Sequence, residues 1–235
     1  MRLITLNMWG AKYHDLVMDF VKKHSRNTDV FCFQEVYKSN RSQKTPNGSW
    51  SNALGDLQKI LPGFDFHFSP VFHNRDYDYE VDYPLSQGQV TFWRKNLNLN
   101  RKGEIFVHYK EDERHFFEKE NKMDPPRCFQ YFVFDQFLVI NLHGYWEPAP
   151  KHDTPERFQQ SQMIIDFVKR YNLPKIIAGD FNLRIDTKAL LMFEENGFRN
   201  LVKESNAPTT RSKLYDIKWR KTDKFADYIL VSKNI

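Results

Sequence analysis

Four short strand-like runs in this chain end on a polar side chain that a protein core accepts only with a partner. They are Leu3–Leu6 ending on Asn7, Val30–Gln34 on Glu35, Val139–Leu142 on His143, and Ile176–Gly179 on Asp180. Runs of this length, rich in β-branched and aromatic residues, predict buried strands. A strand that finishes on an amide, a carboxylate or an imidazole delivers that group to a sheet edge, where rigid scaffolds commonly build their sites. Taken singly, each has an ordinary explanation: Asn is a turn former, Glu a surface or ion-pair residue, and a lone His a hydrogen-bonded structural group. The recurrence is what constrains the fold.

The rest of the chain fits strands and helices in layers. An amphipathic helix is expected over Tyr13–Lys23 with Leu16, Val17, Phe20 and Val21 on one face. The polar stretch Tyr37–Ser49, with Pro46 and an Asn47–Gly48 turn signal, predicts a loop before a short helix at Ser51–Leu61. Strands are expected at Phe64–Phe68, Gly88–Arg94, Asn98–Tyr109, Arg127–Phe134 and Phe137–Leu142, the last pair joined by an Asp135–Gln136 turn, and a final one at Phe225–Ser232. Thr154 as N-cap and Pro155 at the first helical position open a helix to about Tyr171. A second helix, Thr187–Asn196, is closed by Gly197. With no repeat or linker, residues 1–235 read as a single domain. Its 40% hydrophobic content and 21 Phe suffice for one large core. Strand–helix alternation at both ends of a strand-rich middle predicts a mixed α/β (α+β) fold, a four-layer α/β/β/α sandwich of two mainly antiparallel sheets flanked by helices.

Composition narrows the function classes only a little. The formal charge of +5 and a pI near 9.0 suit a phosphorylated or polyanionic substrate. The basic stretches near Arg101–Lys102 and Arg114–Lys122 are interleaved with acids and read as solvated faces. Cys32 and Cys128 lie in apolar runs, so neither a disulfide framework nor a thiolate zinc cluster can be assembled, and buried thiols in a cytoplasmic protein are expected. No run approaches the ~20 apolar residues of a membrane span, and no obligate protein partner is evident.

The most informative segment is Ile176–Leu183, IIAGDFNL. Gly179 permits a tight turn at the strand end, so that Asp180 and Asn182 can face one cavity. A carboxylate there can take a proton from water, and an amide can donate to a phosphoryl oxygen without adding negative charge.

In order along the chain, Leu6-Asn7-Met8-Trp9, Gln34-Glu35, Gly88–Arg94, Asn141-Leu142-His143, Arg157 with Gln160, Gly179-Asp180-Phe181-Asn182, Thr209-Thr210-Arg211 and Asp227-Tyr228-Ile229-Leu230 resemble the motifs of the endonuclease/exonuclease/phosphatase (DNase I-like) superfamily. The resemblance spans nearly the whole chain. It implies a hydrolase, specifically a phosphodiesterase or phosphatase, that uses Mg²⁺ or Mn²⁺. Glu35 would ligate the metal with Asn7 beside it. Asp180 would activate or orient water, Asn182 would bind a phosphoryl oxygen, His143 would contact the scissile phosphate or assist the leaving group, and Asp227 would orient a catalytic histidine. Arg94 and Trp146 join Asn182 as expected substrate contacts. Tyr145 and Trp146 suit stacking on a base or an apolar leaving group, or simply anchoring their loop. Gln34-Glu35-Val36 departs from the Gln-Glu-Thr-Lys form of abasic-site endonucleases, while nucleic acid or nucleotides remain among the substrates the family admits.

One departure stands out. Family members usually finish on a Ser-Asp-His motif beyond the segment matching Asp227, and these 235 residues reach Ile235 without it. The domain is therefore expected to be C-terminally incomplete, with its last strand missing, and weak or absent turnover is expected of these residues alone. The alternative is a catalytically impaired family member that binds phosphorylated partners or nucleic acid.

Overall fold

Strand β1 (Leu3–Asn7) runs parallel to β2 (Val30–Ser39), which pairs antiparallel with β4 (Leu85–Arg94), itself antiparallel to β3 (Phe64–His73). This four-stranded sheet, with helices α1 (His14–His24) and α2 (Ala53–Ile60), belongs to one unit of the molecule, Met1–Asn98 plus Tyr109–Pro126. The structure, a computed structural model, describes residues 1–117, 122–214 and 223–233. Residues 118–121 of the Arg114–Lys122 stretch lie outside them.

Packing explains the first unit's elements. Phe31, Phe33 and Phe92 project from one sheet face into a core closed by Met18, Val21, Leu54 and Leu57 of the helices, with Phe31 and Phe33 stacked 5.3 Å apart. The face of α1 differs from the expected one. Val17, Met18 and Val21 pack inward, while Leu16 and Phe20 are exposed, Phe20 resting against His24. A spacing of three and four residues places positions 14, 17, 18 and 21 on one stripe, and Leu16 and Phe20 fall outside it. Asn52 caps α2, its side chain accepting from the Gly55 amide. A small hairpin of β6 (His115–Phe117) and β7 (Lys122–Asp124) had no clear signal in the sequence.

The chain leaves the first sheet at Arg94 and enters the second at Leu99, so the strand-rich middle divides between two sheets. The second unit, Leu99–His108 plus Arg127–Ile235, is built on β5 (Leu99–His108), β8 (Arg127–Phe134), β9 (Leu138–His143), β10 (Lys175–Asp180), β11 (Phe198–Asn200) and β12 (Asp227–Ser232). Their order is β11-β12-β10-β9-β8-β5, antiparallel except for the β9–β10 pair. Helices α3 (Pro155–Val168) and α4 (Lys188–Glu195) cover one face through Ile164, Ile165, Phe167, Leu190 and Phe193; the short α5 spans Leu201–Glu204.

The caps read from the sequence are present in part. Thr154 accepts from the Arg157 amide with Pro155 following it, and Gly197 takes φ +88° after α4. Thr187 makes no side-chain cap; the first amides of α4, from Lys188 and Ala189, go to the carboxylate of Asp153, each at 2.9 Å. Two large, mainly antiparallel sheets flanked by helices are the architecture expected. Both cysteines are buried and free of disulfides, and burial pushes the Cys32 thiol up to about 12. No helix among the described residues is long and apolar enough to cross a membrane.

Candidate active site

Strand register brings three expected residues of the second unit into one row. His143 ends β9 opposite Asp180, which ends β10 opposite Asp227, the first residue of β12. Parallel neighbours keep their ends level, and Asp227 opens an antiparallel strand, so three side chains distant in sequence share one sheet edge. Gly179 has φ +142°, and a Cβ there would lie 2.0 Å from the carbonyl oxygen of Leu142, so a side chain would block the close approach of β10 to β9.

Beyond the row the chain turns under tight control. The Gly144 amide donates to the Asp180 carbonyl at 2.7 Å and the Phe181 amide to the Ala226 carbonyl at 2.8 Å. Asn182, in the left-handed region at φ 52°, donates its backbone N–H to Oδ1 of Asp180 at 2.9 Å and its Nδ2 to the Gly144 carbonyl at 3.0 Å. Asn tolerates the left-handed region better than other residues with a side chain, and these two bonds hold it there. The expected turn carrying Asp180 and Asn182 is therefore present.

Cations surround this row. Arg211 lies 3.6 Å from Asp227 and forms an ion pair with it. Buried Arg127 donates to the Gly144 carbonyl at 3.0 Å. Lys151 was not singled out from the sequence, because it sits in a Pro-rich loop with no strand or helix period to place it. It is nevertheless buried, and its ammonium donates to Oδ1 of Asn182. Burial, opposed by Asp180, brings its pKa down to about 8. His143 is held well below its ordinary value, first by burial and then by Arg127 and Lys151, so its imidazole is neutral at pH 7.

The loop carrying Lys151 is tied from both sides. Nη1 of the fully buried Arg157 donates to the Glu147 carboxylate at 3.0 Å and to the carbonyls of Pro150 and His152, and the Arg184 amide donates to the carbonyl of Lys151 itself at 3.1 Å. Gln160, the other expected polar residue of α3, accepts from the Tyr145 amide at 2.6 Å.

In the first unit, Asn7 pairs in register with Gln34, and its Nδ2 donates to Oε1 of Glu35 at 2.9 Å. Its oxygen accepts the Trp9 amide at 2.9 Å, so the side-chain amide is oriented from both ends. Glu35 does not end its strand, contrary to expectation. β2 continues to Ser39 through a bulge between Phe33 and Val36, and Glu35 occupies it at φ 56°. A bulge rotates one side chain out of the alternation of its strand, which frees a half-buried carboxylate from the sheet faces. Among the described residues no three His, Cys, Asp or Glu side chains are close enough to hold an ion by themselves. A single carboxylate steadied by an amide nevertheless suits Mg²⁺ or Mn²⁺, hard cations that keep waters and complete their shell with substrate phosphate.

Two expected substrate contacts fare differently. Arg94 ends β4 next to Trp93, which pairs with Val30 at the start of β2, about 17 Å by strand rise from Glu35 in the bulge. Its Nε and Nη2 donate to the carbonyls of Thr28, Ser25 and Arg26, and its guanidinium lies 4.7 Å over the Phe64 ring. Arg94 thus clamps the turn after α1. Trp146 is half-buried in the loop after β9. Its neighbour Tyr145 is a loop anchor, buried, edge-on to His108 at 4.6 Å and beneath Arg157.

Comparison with known proteins supplies a family. Residues 4–235 match the model described as the Endonuclease/Exonuclease/phosphatase family. A search of curated sequences returned no match. Among solved structures, the mannosyl-6-phosphatase of Bacteroides thetaiotaomicron superposes with a TM-score of 0.63 at 19% identity, covering 98% of this chain and 84% of its own. The endonuclease/exonuclease/phosphatase of Bacteroides vulgatus gives 0.62 at 17% identity, covering 98% and 85%. The human Nocturnin catalytic domain with bound sulfate gives 0.58 at 15% identity, covering 99% and 82%.

Proposed function

The chain belongs to the Endonuclease/Exonuclease/phosphatase family, whose members are phosphoester hydrolases that generally use divalent metals, and on that premise we propose that it hydrolyses P–O bonds of a phosphate monoester or diester with Mg²⁺ or Mn²⁺ bound at Glu35. Nucleotides and nucleic acid are included in that substrate range. The observation that carries the reading is the strand-end row His143–Asp180–Asp227 with Asn182 turned back onto Asp180.

The residues divide the chemistry as follows. Asp180, oriented by the Asn182 amide, accepts a proton from water as the water oxygen bonds to phosphorus and the ester P–O bond breaks. Asn182 has a second Nδ2 hydrogen, beyond the one given to Gly144, for a phosphoryl oxygen. Neutral His143 donates an N–H to the phosphate or to the departing oxygen. Asp227 holds Arg211 close to the row. Trp146 lies against the leaving group. Asn7 orients Glu35, the carboxylate that would hold the cation. When bound, the cation offsets charge on the phosphoryl group and the leaving oxygen.

The test is hydrolysis of p-nitrophenyl phosphate and bis(p-nitrophenyl) phosphate with Mg²⁺, Mn²⁺ or EDTA, alongside Asp180→Ala. Turnover that needs metal and falls by ~10²–10⁴ in the variant is expected for loss of a general base. Turnover untouched by EDTA or by Asp180→Ala would rule the reading out.

A further inference from the structure

We propose that Lys151 reads the charge of the transferred phosphate: its ammonium grips a non-bridging phosphoryl oxygen beside Asn182 and makes phosphate monoesters better substrates than diesters. The proposal rests on the phosphoesterase reading above and adds the substrate class to it.

Three observations carry it. Lys151 is only 5% exposed, and among the described residues its ammonium makes one hydrogen bond, to Oδ1 of Asn182. An ammonium has three donors, so two remain for a ligand in a place where water has little access. A buried cation is costly unless anions complete it, and the charge of Asp180 offsets the burial of Lys151 only in part. Second, the loop is fixed before any ligand arrives, with the carbonyls of Pro150, Lys151 and His152 held by Arg157 and by the Arg184 amide. That fixity is what a recognition residue needs. Third, Arg211 and Arg157 are each engaged directly with an acid. Arg211 sits 3.6 Å from Asp227 and Arg157 lies 3.0 Å from Glu147, whereas Lys151 contacts an amide.

The substrate class follows from charge. A phosphate monoester near neutral pH is largely a dianion with three non-bridging oxygens, and a diester is a monoanion with two. A lysine ammonium recognises phosphate as a point charge rather than through a fixed fork, and in a poorly solvated place each added charge on the phosphate deepens that attraction. With His143 neutral, the imidazole does not supply this charge.

The competing reading is that Lys151 only props Asn182. Wild-type protein, Lys151→Arg and Lys151→Met are compared on p-nitrophenyl phosphate and bis(p-nitrophenyl) phosphate, which share a leaving group, and inorganic phosphate binding is measured by calorimetry in the presence of Mg²⁺. We expect wild type to prefer the monoester. Lys151→Met should lower monoester kcat/KM by ~100-fold but diester kcat/KM by less than ~5-fold, weaken phosphate at least tenfold, and leave the thermal midpoint near wild type; Lys151→Arg should fall between. Equal losses on both esters with phosphate binding unchanged, or a wild-type preference for the diester, would overturn the proposal. If wild type hydrolyses neither ester, the phosphoesterase reading fails, and phosphate binding by Lys151→Met still decides whether Lys151 grips phosphate.

Discussion

Glu35 and Asp180 are both carboxylates at the ends of apolar runs, yet the chain builds them in opposite ways. Glu35 stands half-buried on a bulge, with Asn7 oriented toward it and a backbone in the left-handed region. Asp180 is buried in register between two strands, and its neighbour Gly179 could not accept a side chain. A carboxylate on a bulge keeps access to an incoming ion and its waters. One locked into a strand row keeps its geometry relative to the residues beside it. Two acids that follow apolar runs thus differ in what the backbone does with them: the bulge leaves Glu35 half-buried, and the strand row fixes Asp180.

The largest effect on stability is expected at Gly179. Gly179→Ala should cost about 3–5 kcal/mol in denaturant unfolding, since a Cβ meets the Leu142 carbonyl and the backbone sits at positive φ. A loss below about 1 kcal/mol would mean that the β9–β10 approach is not rigid.

Next in size is the pH dependence of the rate. Lys151 keeps its proton below about 8 and gives it up above. If the ammonium is needed, kcat/KM on a monoester falls by up to about tenfold per pH unit on the alkaline side, and Lys151→Arg should move that limb to higher pH. His143 acts in the other direction, on stability. Its folded pKa lies below the ordinary 6.5, so the unfolded chain binds the proton first as pH falls. Stability from keeping His143 neutral is therefore complete above about pH 6.5 and declines below it, by up to about 1.4 kcal/mol per pH unit. His143→Gln should flatten the slope of unfolding free energy between pH 6.5 and 5.5 by about one proton.

The smallest effect lies at the bulge. Glu35→Gly and Glu35→Ala both remove the carboxylate, but only glycine takes φ 56° without strain. The glycine variant should be the more stable of the two by about 1 kcal/mol in thermal unfolding. Equal stabilities would mean that the bulge relaxes once its carboxylate is gone.

Much of this was legible from residue order. Strand-end polar groups announced His143 and Asp180, and the run Gly179–Asn182 announced the turn, because strand period and glycine chemistry are local properties of the chain. Thr154 with Pro155 marked the start of α3 for the same reason. What escaped depended on partners far away in sequence. The bulge at Glu35 appears only when β2 is paired with β4. Arg94 matched a substrate-contact pattern, yet three main-chain carbonyls of the turn after α1 claim its guanidinium. Lys151 lies in a loop whose shape is set by Arg157 and by the Arg184 amide. Leu16 and Phe20 were misplaced because a helix offers several apolar stripes, and only the partner sheet selects among them.

The proposed division of labour, with Glu35 holding the metal and Asp180 taking the proton, is measured by titrating Mg²⁺ into wild-type, Glu35→Gln and Asp180→Asn protein stripped with EDTA, reading both binding heat and turnover. Glu35→Gln should need at least ~10-fold more Mg²⁺ for half-maximal binding, and Asp180→Asn should bind Mg²⁺ within a few-fold of wild type while losing ~10²–10⁴ in kcat. Unchanged Mg²⁺ affinity in Glu35→Gln, or normal turnover in Asp180→Asn, would contradict it.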